Sequence, residues 1–260
     1  MTTPILSIQD LTVNYGGRTV SSMPHLELSP GECLSIVGES GSGKSTVLLA
    51  TMGLLAASAR ISGSIRVGDI DMVSGSDRAV RSARGSRIAL VMQSPQNSLN
   101  PVLSLGTVAR RAMKRHKIGR SESDLRMEAA LRGVNLTLDL LDRLPHEVSG
   151  GQAQRFAIAL ASALGADIIA ADEPTSALDV TVQAEVVGVL EQMRQTRGTA
   201  VLLVSHDLAL VSTLADEIVV MQGGAVVDRG SVEYLLKEST VPYTRTLIEA
   251  VPRFEFAEGN

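Results

Sequence analysis

GESGSGKS, residues 38–45, fits the spacing G-x-x-x-x-G-K-[ST]. Gly38, Gly41 and Gly43 free the backbone to curl, so that successive N–H groups point inward at one anion. Lys44 adds a compact positive charge suited to β- and γ-phosphates, and the Ser45 hydroxyl is a hard oxygen ligand for Mg2+. The flanks agree. Residues 33–37 (CLSIV) are a buried-strand run, and residues 45–55 carry helical patterning that would turn a positive N-terminus on the phosphates. The chain has only four lysines, so a lysine falling in this frame by accident is improbable. The expected phosphate cradle is Gly38, Glu39, Ser40, Gly41, Ser42, Gly43, Lys44, Ser45 and Thr46.

Other strand ends carry matching chemistry. Residues 168–173 (IIAADE) form an apolar strand that delivers Asp172, a Mg2+ ligand, and Glu173, placed to orient or deprotonate an attacking water. Gln93 closes the apolar run at 88–92 and can reach both the cation and the water. His206 follows the run at 200–204 and is placed to contact a γ-phosphate. Ser149, Gly150, Gly151 and Gln152 open a helix over 152–164, with Ser149 as N-cap and free N–H groups at the positive end. This is either an ordinary cap or a second anion-binding helix start without a lysine. Two half-sites for one phosphate suggest that two chains share each nucleotide.

Strands alternate with helices along the chain. Residues 5–13 alternate apolar and polar as a half-buried strand does, a short strand is expected at 25–28, and 63–67 with 69–72 suggest a further strand and turn. Residues 104–143 read as helical throughout, with Val108, Met113, Leu125, Ala129, Leu131 and Leu141 at helical spacings. Further helices are expected at 182–194 and from 232, a hairpin at 218–228 around Gly223-Gly224, and little pattern from Val241 on. The predicted class is α/β: an open sheet binding nucleotide at its C-terminal edge, a P-loop NTPase (RecA-like) core with an N-terminal antiparallel β subdomain and a helical subdomain at about 94–160.

Composition narrows the partners. Net charge is −4 with a sequence pI of about 5.6, so no global field draws nucleic acid. Cys33 is the sole cysteine, which rules out an internal disulfide and suits a reducing compartment. No apolar run reaches the ~18 residues of a membrane span, and no signal peptide is expected. A role at a membrane therefore requires docking on something already there. Arg110, Arg111, Lys114, Arg115, Lys117 and Arg120 form a basic cluster, either a solvated face or a contact with a partner or with anionic headgroups. His25, His116, His146 and His206 are scattered and have no metal-ligand spacing.

SGGQ (149–152) followed by Arg155, ADEPTSALD (171–179) and SHD (205–207) together resemble the ATP-binding subunit of an ABC transporter over essentially the whole chain. The resemblance implies ATP and Mg2+ as ligands, with Ser149 and Gly151 touching the γ-phosphate held by a partner's phosphate loop. It implies Asp179 at a dimer interface and Tyr15 as the aromatic that stacks on adenine. Val148 replaces the usual leucine of the signature, and Ala166 stands where many members have proline. QSPQNSLNP (93–101), PHEVSGGQ (145–152) and PYTRTL (242–247) with Val251-Pro252 resemble the dipeptide, oligopeptide and nickel importer branch.

On that resemblance the ATP-binding domain covers 1–236, and 237–260 is a short C-terminal extension of the peptide/nickel type. The expected partners are a second homologous ATPase subunit, a heterodimer ahead of a homodimer, and two integral-membrane permease subunits. An external solute-binding protein acts indirectly, and the expected location is the cytoplasmic face of the inner membrane. Some peptide members hold an iron–sulfur cluster on C-terminal cysteines, which this chain lacks. The expected cargo is therefore nickel or a metal chelate, with short peptides next. The rival expectation is an accessory ATPase of a soluble complex such as a carbon–phosphorus lyase system.

Overall fold

The structure is a computed structural model in which residues 3–176 and 178–250 are described. Ala177 within ADEPTSALD, Val251-Pro252 and the rest of the expected extension past 250 lie outside the described residues. In chain order the strands and helices are β1 (Leu6–Tyr15), β2 (Arg18–Leu28), β3 (Cys33–Val37), α1 (Lys44–Thr51), β4 (Arg60–Val67), β5 (Ile70–Asp71), α2 (Asp77–Ala83), β6 (Ile88–Val91), α3 (Pro95–Ser98), α4 (Leu105–Arg115), α5 (Arg120–Gly133), α6 (Gly150–Leu164), β7 (Ile168–Asp172), α7 (Val180–Arg197), β8 (Ala200–Ser205), α8 (Leu208–Leu214), β9 (Glu217–Gln222), β10 (Ala225–Ser231), α9 (Val232–Lys237) and α10 (Pro242–Glu249).

Two sheets result. A four-stranded antiparallel sheet has the order β2-β1-β4-β5, and a six-stranded sheet has the order β10-β9-β3-β8-β7-β6. Strands β9, β3, β8, β7 and β6 run parallel, and β10 adds an antiparallel edge. The parallel strands are apolar at nearly every position because both of their faces are covered. Alternate residues divide between two cores. Val37, Ile169, Ala171, Val201 and Leu203 join the core built with the helices α4 to α8 around the fully buried Phe156. Leu34, Ile36, Ile168, Ala170, Leu202 and Val204 join the core built with α1 and the antiparallel sheet. Burying a side chain the size of Phe156 contributes about 1.5–3 kcal/mol. Cys33 is fully buried, and burial pushes its thiol up to about 12, so it stays a neutral packing group.

Several expectations need correction. The short strand expected at 25–28 is the end of β2, which starts at Arg18. Pro24 and the inward-facing Ser21 hide its alternation, and Pro24 is tolerated because β2 is an edge strand. Residues 104–143 are not continuously helical. The chain breaks after α4 with Lys117 at φ 60 and after α5 with Asn135 at φ 54, then makes a 3-10 turn at Leu138–Asp142. Leu125, expected on an apolar face, is 66% exposed. Helix α1 ends at Thr51 rather than 55, and Arg84 Nε donates to the Met52 carbonyl at 2.7 Å, satisfying an orphan acceptor at that end. The tail from Val241, expected to lack pattern, forms α10.

Candidate functional site

The phosphate loop joins the buried β3 to α1 at the C-terminal edge of the parallel sheet. Gly38 has φ 151, and a Cβ there would lie 2.1 Å from the Met221 carbonyl oxygen, so the loop can pass β9 only without a side chain at that position. The loop is tied on its far limb as well. The Ser21 hydroxyl donates to the Gly43 carbonyl at 3.3 Å, and the Gly224 N–H donates to the Ser42 carbonyl at 3.2 Å. Lys44 is buried, and its ammonium donates to the carbonyls of Gly38 and Glu39, each at 2.8 Å. Burial lowers its pKa, opposed by the carboxylates of Glu173, Asp172 and Glu39. The Ser42 hydroxyl is buried without a hydrogen-bond partner among the described residues.

The structure brings Ser45 and Asp172 together: the Ser45 hydroxyl donates to Asp172 Oδ1 at 3.0 Å. Burial raises the Asp172 pKa above the ordinary carboxylate value, with the Ser45 hydrogen bond pulling the other way. Glu173 follows in the left-handed region, at φ 47, with its N–H bonded to the Val204 carbonyl at 2.8 Å. A bulky residue held there is strained, and such strain concentrates at working sites. The strained backbone places Glu173 Oε1 3.0 Å from His206 Nδ1 at the end of β8. Gln93 Nε2 donates to the Ser176 hydroxyl at 2.9 Å, and that hydroxyl donates to the Glu173 carbonyl at 3.2 Å. Gln93, Ser176, Glu173 and His206 therefore form one connected edge. Ser176 was given no role from sequence; its signal was its place inside ADEPTSALD.

The second helix start lies elsewhere. Ser149 caps α6 by accepting the Gln152 N–H at 3.2 Å, and Gln152 Oε1 accepts the Ser149 N–H at 2.9 Å, a reciprocal box. Gly151 is pressed against α7: a Cβ there would lie 2.4 Å from Val182 Cγ1. Asp179 caps α7 by accepting the Val182 N–H at 3.0 Å. Among the described residues no hydrogen bond joins Ser149, Gly150, Gly151 or Gln152 to residues 38–46. Ser149 and Gly150 stay exposed. Tyr15 ends β1 opposite Arg18, half-buried against the core under the antiparallel sheet.

The sequence profile described as ABC transporter matches residues 22–176. The chain is 37% identical over 264 residues to the oligopeptide transport ATP-binding protein of Mycobacterium tuberculosis, covering 98% of this chain and 43% of that protein. It is 36% identical over 264 residues to the dipeptide transport ATP-binding protein of Haemophilus influenzae, covering 98% of this chain and 79% of that one. The chain thus spans less than half of the mycobacterial protein it matches. In three dimensions it is similar to an ATP-binding cassette solved as a dimer in a post-hydrolysis state bound to ADP and Pi, with TM-score 0.77, 26% identity, and 87% of this chain and 98% of that chain covered. The phosphate loop, the Asp172–Glu173 strand end and the capped turn at Ser149 all lie within the matched residues, and the chain belongs to the ABC transporter family, with the fold of its ATPase cassettes.

Proposed function

We propose that this chain is the ATP-hydrolysing subunit of an ABC importer. The observation that carries the reading is the edge where the phosphate loop, Asp172, Glu173 and His206 meet, with Ser45 bonded to Asp172 and Glu173 beside His206. The loop N–H groups, apart from that of Glu39, which is bonded to the Tyr243 hydroxyl, and the α1 N-terminus take the β- and γ-phosphates of ATP, and Lys44 swings from its own carbonyls to the γ-phosphate. Glu173 orients a water in line with the terminal phosphorus and accepts its proton, while His206 holds the carboxylate in place. Gln93 links this edge, through Ser176, to the loop that begins at Ser94.

The residues fit Mg2+. Ser45 Oγ and Asp172 Oδ1 are hard oxygen donors side by side, and Mg2+ typically takes one or two protein oxygens and completes its shell with phosphate and water. When bound, it neutralises charge on the β- and γ-oxygens.

Two chains close on two ATP molecules, each nucleotide held between one phosphate loop and the Ser149–Gln152 turn of the other chain. The separation of those two half-sites within one chain supports this, as does the dimeric, ADP- and Pi-bound state of the similar cassette. The partner chain is a homologous ATPase subunit, a heterodimer ahead of a homodimer. Membrane coupling runs through two integral-membrane permease subunits; no described helix of this chain is itself long and apolar enough to cross a membrane. A cleft of about 810 Å³ between α2 and the end of α4 is lined by Arg78, Arg81, Arg115, Lys117 and Arg126; Arg81 is paired with Asp77 and Arg126 with Glu122, which leaves Arg78, Arg115 and Lys117 as its excess positive charge. Such a surface suits an acidic cytoplasmic loop of a permease, at the cytoplasmic face of the membrane. The names of the relatives put short peptides ahead of the nickel or metal-chelate cargo expected from the missing cysteines. Affinity purification of the chain from membranes tests the reading. Integral permeases among the partners support it, and phosphonate-cleaving enzymes in their place overturn it.

A further inference from the structure

The stretch at 242–247 has no part in the phosphate chemistry above, yet α10 reaches the phosphate loop. The Glu39 N–H donates to Tyr243 Oη at 2.8 Å, across 204 positions of sequence. A clasp fixes the segment that carries the tyrosine. Asp228 on β10 accepts from the Thr244 hydroxyl at 2.7 Å and also from the Ser239 hydroxyl. Ser239 in turn accepts the Val241 N–H at 3.3 Å. Thr244 and Ser239 are 2% and 4% exposed while Asp228 is half-buried, so these charge-assisted bonds are partly shielded from water, which strengthens them. The Tyr243 ring packs with Leu247 and Ile248 against the helical core.

What the tyrosine holds matters for the nucleotide. Its hydroxyl fixes the N–H of Glu39, while Lys44 fixes the carbonyls of Gly38 and Glu39. The limb of the loop at Ser42 and Gly43 is held separately, by β2 and the β9–β10 turn. Once Lys44 turns to a phosphate, Tyr243 is the side chain left holding the outer limb. Glu39 itself is exposed, so water is ready to take over its N–H if the tyrosine oxygen is removed.

We propose that Tyr243 is a positioning residue for ATP: the Asp228 clasp orders α10, and the Tyr243 hydroxyl holds the outer limb of the phosphate loop in its binding shape. This deepens the phosphate-site reading and rests on it. Tyr243→Phe removes one oxygen and keeps the packed ring, so folding is retained. One such hydrogen bond is worth about two- to tenfold in ATP affinity. The expected result is a two- to tenfold rise in Kd and KM for ATP, with kcat unchanged and faster amide exchange at Glu39. Thr244→Val, which loosens the clasp, shifts affinity the same way alone and adds nothing on top of Tyr243→Phe. Unchanged ATP affinity and Glu39 exchange in Tyr243→Phe overturn the proposal, as does a fall in kcat at constant KM. Lys44→Ala run beside it separates the two layers. Lost ATP binding there with an unaffected Tyr243→Phe sinks the strap alone, and retained binding in Lys44→Ala sinks the phosphate site beneath it.

Discussion

Gly151→Ala tests how the capped turn is held. A Cβ at that position would stand 2.4 Å from Val182 Cγ1, whereas non-bonded carbons rest at about 3.5–4.0 Å. One helix must yield by roughly 1 Å, because a β-branched side chain on a helix has a single strongly preferred rotamer and cannot swing aside. Overpacking of this kind costs about 1–3 kcal/mol. Alanine in place of glycine recovers at most about 1 kcal/mol of helix propensity. The clash is specific to one methyl: Val182 Cβ and Cγ2 would sit at a comfortable 3.6 Å. Gly151→Ala is therefore destabilising in the natural chain and neutral to stabilising in a Val182→Ala background. The coupling energy between the two sites is expected at about 1–3 kcal/mol. Urea unfolding of the wild type, both single variants and the double variant measures it. Equal effects of Gly151→Ala in both backgrounds, within about 0.5 kcal/mol, refute the claim that α7 sets the position of this turn.

Glu173→Gln keeps the shape of the side chain and removes its proton acceptor, so ATP binding persists while turnover falls by about 10²–10⁴-fold; steady-state phosphate release reads this, and normal turnover removes Glu173 from the chemistry. Lys44→Ala loses nucleotide binding or hydrolysis in a direct titration, and unchanged activity contradicts the cradle at 38–46. Burial holds the Asp172 pKa above its ordinary value of 3.8, so ionising it costs the folded chain free energy at any pH above the raised value, and that cost is relieved as pH falls through it. Without nucleotide, Asp172→Asn thus melts higher than wild type near pH 7, and the gap closes as pH drops below 3.8; a gap independent of pH contradicts the burial argument.

The parallel core was legible because its strands are apolar on both faces. Runs such as IIAA at 168–171 and VLLV at 201–204 announce full burial by composition, and the polar residue that ends each run marks the sheet edge. The helix starts expected at 45 and 152 from glycine and serine chemistry lie within two residues of the observed ones at 44 and 150. Breaks that depend on single backbone dihedrals were not legible. Lys117 and Asn135 turn the chain with positive φ, a conformation that leaves no periodic trace. Strand β2 was obscured by Pro24, an ordinary turn signal that an edge strand accommodates. Contacts between distant segments, such as Gln93 to Ser176 and Glu39 to Tyr243, were invisible because nothing local encodes them. Motif spacing supplied the candidate residues, and tertiary packing decided which of them touch.

A triphosphate gripped by the phosphate loop of one chain and the Ser149–Gln152 turn of another makes pairing of the chains depend on ATP. The most direct measurement is the solution mass, by sedimentation or light scattering, of the Glu173→Gln chain with and without Mg2+ and ATP, alone and mixed with its homologous ATPase partner. The expected result is a monomer that doubles in mass on adding ATP, and no doubling when Ser149 is replaced by Arg to block the turn. A mass that ignores ATP in both settings, or a dimer that forms equally well with Ser149→Arg, contradicts it.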